Sequence, residues 1–503
     1  MRKILVFGAG KSATVLINYL LKEAEQELWF LTVADANFEL AETKVGESSY
    51  GKAVAFDISE ADKRQQLIGE SDLVISLLPP ALHILVARDC LEFKKNLLTA
   101  SYADNAMKEL ADEVKNNNLL FLCEMGLDPG IDHMSAKKMI NEIHEAGGKI
   151  YSFLSHCGGL VAPESDDNPW RYKISWNPRN VMTAGKAGAI FKKDNNIEEW
   201  EYEKLFSEKR FVEIPGHESL CWYPNRDSLS YINTYGLNNC STFIRTTLRH
   251  PDFLYGWKNI IDLKLTSEEI FYETDNKTLM QFFKEHFESQ GFSKWLEQKM
   301  IEQFEASKKL LENLANLVEM EEEAQESGVK PIDEFMMVDE EGDLQQVDID
   351  ELKTNTAATV AFQLHEAKLT LKQLFFLGMD DDKTLINKGS CSAADILQFA
   401  LEKKLSLQPG DKDLVVMLHE IEYEQDNKKY KQTASLLVTG EDDIHTAMAK
   451  TVGLPLGIAA KLILNDVIQL KGLHIPVVKE IYEPVLAELT EYNIQFKEEV
   501  VLL

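Results

Sequence analysis

A single turn near the start of the chain governs how the rest is read. Lys3–Phe7 is β-branched and apolar, Gly8-Ala9-Gly10-Lys11-Ser12-Ala13 follows it, Ser12–Lys22 carries apolar residues at helical spacing, and Leu28–Ala34 is a second apolar run. This is a βαβ start with GxGxxA at its first turn. In that setting the motif suits a dinucleotide. Gly8 permits the tight turn, Gly10 lets the backbone approach a pyrophosphate, and Ala13 keeps helix and sheet close. The phosphates would then meet the helix N-terminus, beside Lys11 and Ser12. A purely structural βα turn is the other reading of these residues.

The alternation continues. Apolar runs at Leu73–Leu78, Asn96–Thr99 and Leu119–Cys123 are separated by helical patterns at Ala61–Gly69, Ala81–Phe93 and Asn105–Asn116. The spacing predicts a parallel sheet with helices on both faces, a Rossmann domain over residues 1–124. Beyond Glu124 the pattern changes. Met125–Gly130 is turn-rich, a helix follows to about Ala146, and strand-like runs appear at Ile150–Ser155 and Asp413–Glu424. Segments around Cys157–Asn180 and Pro215–Leu237 read as ordered loops over a site, and Thr266 to about Met320 is strongly helical. From Glu319 to Glu351 there are fourteen acids against one lysine, the composition of a solvated helix face or a flexible insert. The smooth helical stretch Ala447–Leu464 is suited to packing back on the first domain.

Asp35, at the end of the second strand, bears on cofactor choice. A carboxylate there accepts hydrogen bonds from a ribose 2′-hydroxyl and repels a 2′-phosphate, so NAD is expected over NADP. Alternatively, Asp35 caps a turn with Asn37. The formal charge of −30 opposes nucleic acid and anionic membrane surfaces as partners, so an anionic substrate must be held by local cations. Six cysteines lack CxxC spacing, which fits reduced thiols in a cytoplasmic protein and offers no zinc framework; no metal is expected. The short apolar start running into Gly8 reads as a strand rather than a leader, and no apolar run reaches the roughly 18 residues of a membrane span.

Several longer motifs carry a resemblance. Gly126-Leu127-Asp128-Pro129-Gly130-Ile131-Asp132-His133, His156-Cys157-Gly158-Gly159-Leu160, Lys173-Ile174-Ser175-Trp176, Tyr223-Pro224-Asn225-Arg226-Asp227-Ser228, Thr247-Leu248-Arg249 and Lys450-Thr451-Val452-Gly453-Leu454-Pro455 occur in this order. Together they resemble the saccharopine dehydrogenase family, L-glutamate-forming, over most of the chain. The resemblance implies an α/β fold: an N-terminal Rossmann domain, a mixed α/β substrate domain that makes homodimer contacts, and a small helical subdomain. Their expected ranges are 1–124, then 125–265 with 400–503, then 266–399 with an acidic insert near 319–355. It implies interconversion of saccharopine with L-glutamate and 2-aminoadipate 6-semialdehyde by hydride transfer, in lysine metabolism. Carried over by motif, Ser101, Tyr102, Asp128, Arg226, Thr247, Leu248 and Arg249 would touch substrate, while Ser12, Asp35, Leu78, Ala100, Ser101 and Leu127 would line the cofactor site.

The chemistry of the residues agrees. A substrate with three carboxylates calls for bidentate cations, and Arg226 and Arg249 sit in polar contexts suited to that; a structural salt bridge is the plain alternative for each. Asp128, Tyr102 and Cys157 are the candidates for proton movement near the secondary amine. Their ordinary readings are a helix N-cap, a buried aromatic and an inert buried thiol. His133, His156 and His419 read as structural. Two other functions stay open: a reductase of another imine-forming substrate such as carboxynorspermidine, and a non-catalytic, cofactor-sensing interaction protein.

Overall fold

Strand β1 (Lys3–Phe7) is apolar from Ile4 onward because both of its faces are covered there. Ile4 and Val6 point into one cluster with helix α1 (Ala13–Glu27), whereas Leu5 and Phe7 point into another with Val74, Val86 and Cys90. The same division holds along β2 (Phe30–Asp35) and β4 (Leu73–Ser76). With β3 (Gly51–Ala55), β5 (Asn96–Thr99) and β6 (Leu120–Leu122), they form a parallel sheet in the order β3-β2-β1-β4-β5-β6. A strand from late in the chain, Gly472–His474, adds in parallel beside β6. Strand order reverses between β1 and β4, and ligands of open α/β sheets collect at the carboxyl ends of the strands there. The expected α/β class with an N-terminal Rossmann domain is the observed one. The computed structural model describes residues 1–299, 301, 305, 308–309, 334–338, 344–348, 365–366 and 368–503.

A second, mixed sheet is built on β7 (Lys149–Val161), a long strand that pairs antiparallel with Asp413–Gln425 and parallel with Thr242–Arg249. Alternation divides its side chains. Phe153, Phe243 and Ile421 meet Ile140 and Ile143 of the Ile131–Glu145 helix, while Leu160, Leu248 and Val416 form an apolar cluster on the opposite face. The reading of Cys157–Asn180 and Pro215–Leu237 as loops is therefore only partly right. Residues 157–161 finish β7, and Leu220–Pro224 is a strand paired with Thr242–Arg249.

The Ala447–Leu464 helix is long and apolar enough to cross a membrane, yet 78% of it is buried inside the fold. Gly453 and Gly457 bring its backbone against Leu16 and Tyr19 of α1, where a Cβ would approach within 2.8 and 2.5 Å. Its N-terminus is held by buried Asp413, whose carboxylate accepts the amides of Ala447 and Met448 at 2.5 and 3.0 Å.

By internal contacts the chain divides into two units: residues 1–167, 171–251 and 405–503, and residues 168–170 with 252–404. The second unit has the helices Pro251–Asp262, Leu279–Ser289 and Ala393–Lys404 and a core in which Phe253 stacks on Trp257 at 5.4 Å. Of the acidic stretch, the described residues are the antiparallel pair Glu334–Val338 and Leu344–Asp348, strands rather than the helix face or flexible insert expected. The remainder of that stretch lies outside the described residues.

Candidate active site

The turn after β1 has the geometry that a pyrophosphate needs. Gly8 has φ +100°, and a Cβ there would come within 3.1 Å of the Leu77 carbonyl at the end of β4, so no other residue fits without displacement. Gly10 is exposed with open space where a side chain would stand, and Ala13 is buried at the first turn of α1. Ser12 is the residue before the helix and makes no capping bond with its side chain, while Lys11 reaches the Ile174 carbonyl at 3.4 Å. The open backbone at the end of a fifteen-residue helix fits the phosphates of a dinucleotide. Half-buried Leu78 follows β4.

Asp35 serves the loop itself. One carboxylate oxygen accepts the Ala9 amide at 2.6 Å and the other the Asn37 amide at 2.8 Å. Half-buried Lys44 donates to the Gly10 carbonyl and is close enough to Asp35 for their charges to interact, with burial lowering its pKa to about 8.

At the carboxyl end of β5, Ala100, Ser101 and Tyr102 face the Gly126–Gly130 turn. Half-buried Ala100 lies where a Gly126 side chain would need to go, and Leu127 is packed into the main apolar cluster. The Ser101 hydroxyl is tied to His83 Nε2 at 2.8 Å, and His83 Nδ1 to Ser76 at 2.8 Å. Burial keeps His83 neutral, with a pKa near 4. Gly130 makes the turn possible: at φ +149°, a Cβ would stand 2.0 Å from the Gly126 carbonyl oxygen.

This turn presents Asp128, whose Oδ1 accepts the Tyr102 hydroxyl at 3.2 Å and Arg245 Nη2 at 2.6 Å. Asp128 does not cap the helix that follows. The residue before that helix is Gly130, and its amide is taken by Asp132 Oδ1 at 2.6 Å. Burial raises the Asp128 pKa, Arg245 opposes this, and Asp132 adds to it. Burial, reinforced by Asp128, holds the Tyr102 hydroxyl protonated far above its usual range. Cys157, on the β7 face turned this way, is likewise pushed well up by burial and by Asp128 and Asp132, so it remains a thiol.

The two expected cations are placed differently. Arg226 is exposed, has φ +50°, and holds its guanidinium 5.1 Å from the Tyr102 ring. Arg249 is buried, lies 5.3 Å from the Tyr172 ring, donates to the Leu248 carbonyl at 2.7 Å, and acts electrostatically on Cys157. Thr247, half-buried, shares its strand face with Arg249, whereas the Leu248 side chain points into the apolar cluster of the opposite face. Leu248 can therefore offer only backbone to a ligand on this side.

Sequence reasoning missed Arg245, Asp132 and Glu124. Arg245 stands two residues before Thr247, so strand periodicity alone puts Arg245, Thr247 and Arg249 on one face. Buried Glu124 accepts the Ala103 amide, His133 Nε2 at 2.8 Å and the Tyr231 hydroxyl at 3.1 Å. His133 Nδ1 meets the Tyr235 hydroxyl at 2.6 Å, His156 lies between Thr246 and Glu420, and His419 bonds to Ser135 at 2.7 Å.

Comparison with known proteins decides the lineage. The model of the saccharopine dehydrogenase NADP binding domain matches residues 4–122, and that of the saccharopine dehydrogenase C-terminal domain matches residues 126–494. The chain belongs to the saccharopine dehydrogenase family. Within this family it is similar to the saccharopine dehydrogenase (NADP(+), L-glutamate-forming) of Saccharomyces cerevisiae, 30% identical over 99% of each chain. It is 31% identical to the alpha-aminoadipic semialdehyde synthase of Arabidopsis thaliana, over 98% of this chain and 44% of that longer one. The solved apo saccharopine dehydrogenase (L-Glu forming) from Saccharomyces cerevisiae superposes with a TM-score of 0.77 at 28% identity, covering 100% of both chains. Family membership makes this chain an oxidoreductase of lysine metabolism.

The family also corrects the cofactor expectation. The matching nucleotide domain is described as NADP-binding, and three fungal relatives carry NADP(+) in their names, so the preference for NAD is overturned. The physical reason lies in the Asp35 carboxylate. Its two oxygens already accept the Ala9 and Asn37 amides, and the Lys44 cation beside it offsets the negative charge that would repel a 2′-phosphate.

Proposed function

We propose that this chain interconverts saccharopine with L-glutamate and 2-aminoadipate 6-semialdehyde, with NADP as cofactor. The observation that carries this reading is the meeting of Tyr102, Asp128 and the Arg226 guanidinium at the carboxyl edge of the nucleotide sheet. A carboxylate there would face the substrate amine, with cations for the substrate's carboxylates nearby. Bound, the nicotinamide cofactor supplies the hydride acceptor or donor. The turn after β1 and the N-terminus of α1 would hold its phosphates, and Lys44 would favour the extra phosphate of NADP.

On the substrate side, Arg226 and Arg249 provide planar donors for carboxylates. Asp128 takes the proton from the secondary amine, which must be unprotonated before its carbon can give up hydride, and Tyr102 orients that carboxylate. The imine then adds water and collapses to the amino acid and the aldehyde. Cys157, held as a thiol, is a weaker candidate for proton transfer than Asp128. Arg226 and Arg249 favour a tricarboxylate over a polyamine. Six free cysteines suit a reducing, cytoplasmic setting, and the homodimer implied by the resemblance belongs to the same proposal.

Turnover should be measured with saccharopine and NADP, beside amino-aldehyde and polyamine substrates. Saccharopine should be preferred by orders of magnitude. No turnover of saccharopine with either nicotinamide cofactor would overturn the reading.

A further inference from the structure

Arg245 is 3% exposed, sits in the middle of strand Thr242–Arg249, and belongs to none of the motifs that carry the resemblance. Its backbone is fixed on both sides: the amide donates to Ser228 Oγ at 3.0 Å and the carbonyl accepts the Asn225 amide at 2.8 Å. Its Nη2 donates to Asp128 Oδ1 at 2.6 Å and to Asp132 Oδ2 at 2.8 Å, and stands 3.5 Å from the Tyr102 hydroxyl. The guanidinium lies 4.6 Å from the Tyr231 ring, which limits its movement on another side. Asp132 is itself anchored, because its other oxygen takes the Gly130 amide at 2.6 Å. One chain of bonds thus runs from the start of the Ile131–Glu145 helix through Asp132 and Arg245 to Asp128 and Tyr102.

Resting on the functional reading above, we propose that Arg245, braced by Asp132, is a positioning residue that holds the Asp128 carboxylate against the Tyr102 hydroxyl for catalysis. A buried arginine between two carboxylates leaves the trio with a net negative charge, suited to an incoming amine. The single guanidinium cannot neutralise both acids, so Asp128 keeps the capacity to accept a proton. The charged and titratable groups facing Asp128 are Tyr102 beyond β5, Asp132 and His133 on the helix, Arg245 on its strand, Cys157 on β7, and Tyr235. Among these, Arg245 is the cation in direct contact with it.

The test compares full-length wild type with Arg245→Gln and Asp132→Asn, using thermal melting as a folding control and pH profiles of kcat and kcat/KM for saccharopine. Arg245→Gln should lower kcat at least a hundredfold. It should also move the acidic limb of the profile to higher pH by a unit or more, because the cation that favours the Asp128 carboxylate is gone. NADP affinity should stay within threefold. Asp132→Asn keeps the guanidinium but removes its brace, and should lower kcat about tenfold; it decides the matter if Arg245→Gln does not fold. A folded Arg245→Gln enzyme with an unmoved acidic limb, or an Asp132→Asn enzyme with wild-type kcat, would overturn the proposal. Wild-type turnover of saccharopine in the same assay tests the functional reading separately.

Discussion

The carboxylate of Asp35 accepts the backbone amide of Ala9 at 2.6 Å, tying the end of β2 to the turn after β1. Asp35 therefore shapes the phosphate loop, and the neighbouring Lys44 is the cation proposed to favour a 2′-phosphate. Lys44→Ala should raise the KM for NADP about tenfold, on the order of 1.4 kcal/mol, and change that for NAD much less. Steady-state kinetics with both cofactors is the check; equal changes for the two would remove Lys44 from 2′-phosphate recognition.

Asp128→Asn keeps the shape of the turn but cannot take a proton. Turnover should fall by roughly 10²–10⁴-fold, the range of a lost acid–base group, with NADP affinity retained. Tyr102→Phe should cost less, because its hydroxyl donates to Asp128 and stays protonated. Near-normal turnover in Asp128→Asn would shift the proton step to water.

Arg249→Ala should weaken saccharopine binding by about 2–4 kcal/mol, as expected when a buried cation that meets a carboxylate is lost. Exposed Arg226 should show a smaller effect of the same sign, since water screens it. Substrate KM and direct binding of saccharopine, measured on folded variants, check both. An unchanged KM removes the residue from the site.

Gly130→Ala should destabilise the fold by at least about 3 kcal/mol, because the new Cβ has no position clear of the Gly126 backbone. Chemical denaturation is the measurement, and a variant as stable as wild type would mean that the turn relaxes easily.

His83 and His419 are both held neutral by burial, with pKa values near 4 against an ordinary 6.5. A depressed folded-state value means that the unfolded chain binds the proton more readily. Their contribution is therefore complete above about pH 6.5 and is lost as pH falls toward 4, on the order of 3 kcal/mol for each. His419 is stacked between Phe153 and Phe496, so His419→Phe should fold and should flatten the dependence of stability on pH by about one proton between pH 4 and 6.5. An unchanged slope would show that His419 does not titrate in this window.

Local sequence determined the nucleotide domain of this protein, because its signals are short in range. The β1 turn needs glycine at Gly8 for reasons contained within a few residues, and strands buried on both faces read as continuous apolar runs. Where that condition fails, the reading fails too. Edge strand β3 (Gly51–Ala55) has no fully buried residue and was not recognised, and the predicted helix Asn105–Asn116 is broken at Leu110. Asp128 and Tyr102 were legible as motif residues, but what each bonds to was not. Tertiary structure alone decided that Arg245 of the mixed sheet would reach Asp128, 117 residues earlier in the chain, and that the Asp35 carboxylate would be spent on the Ala9 amide. The physical reason is that a charged group's role is set by the partner that compensates its burial. That partner is supplied by the packing of distant segments, which neither periodicity nor spacing encodes.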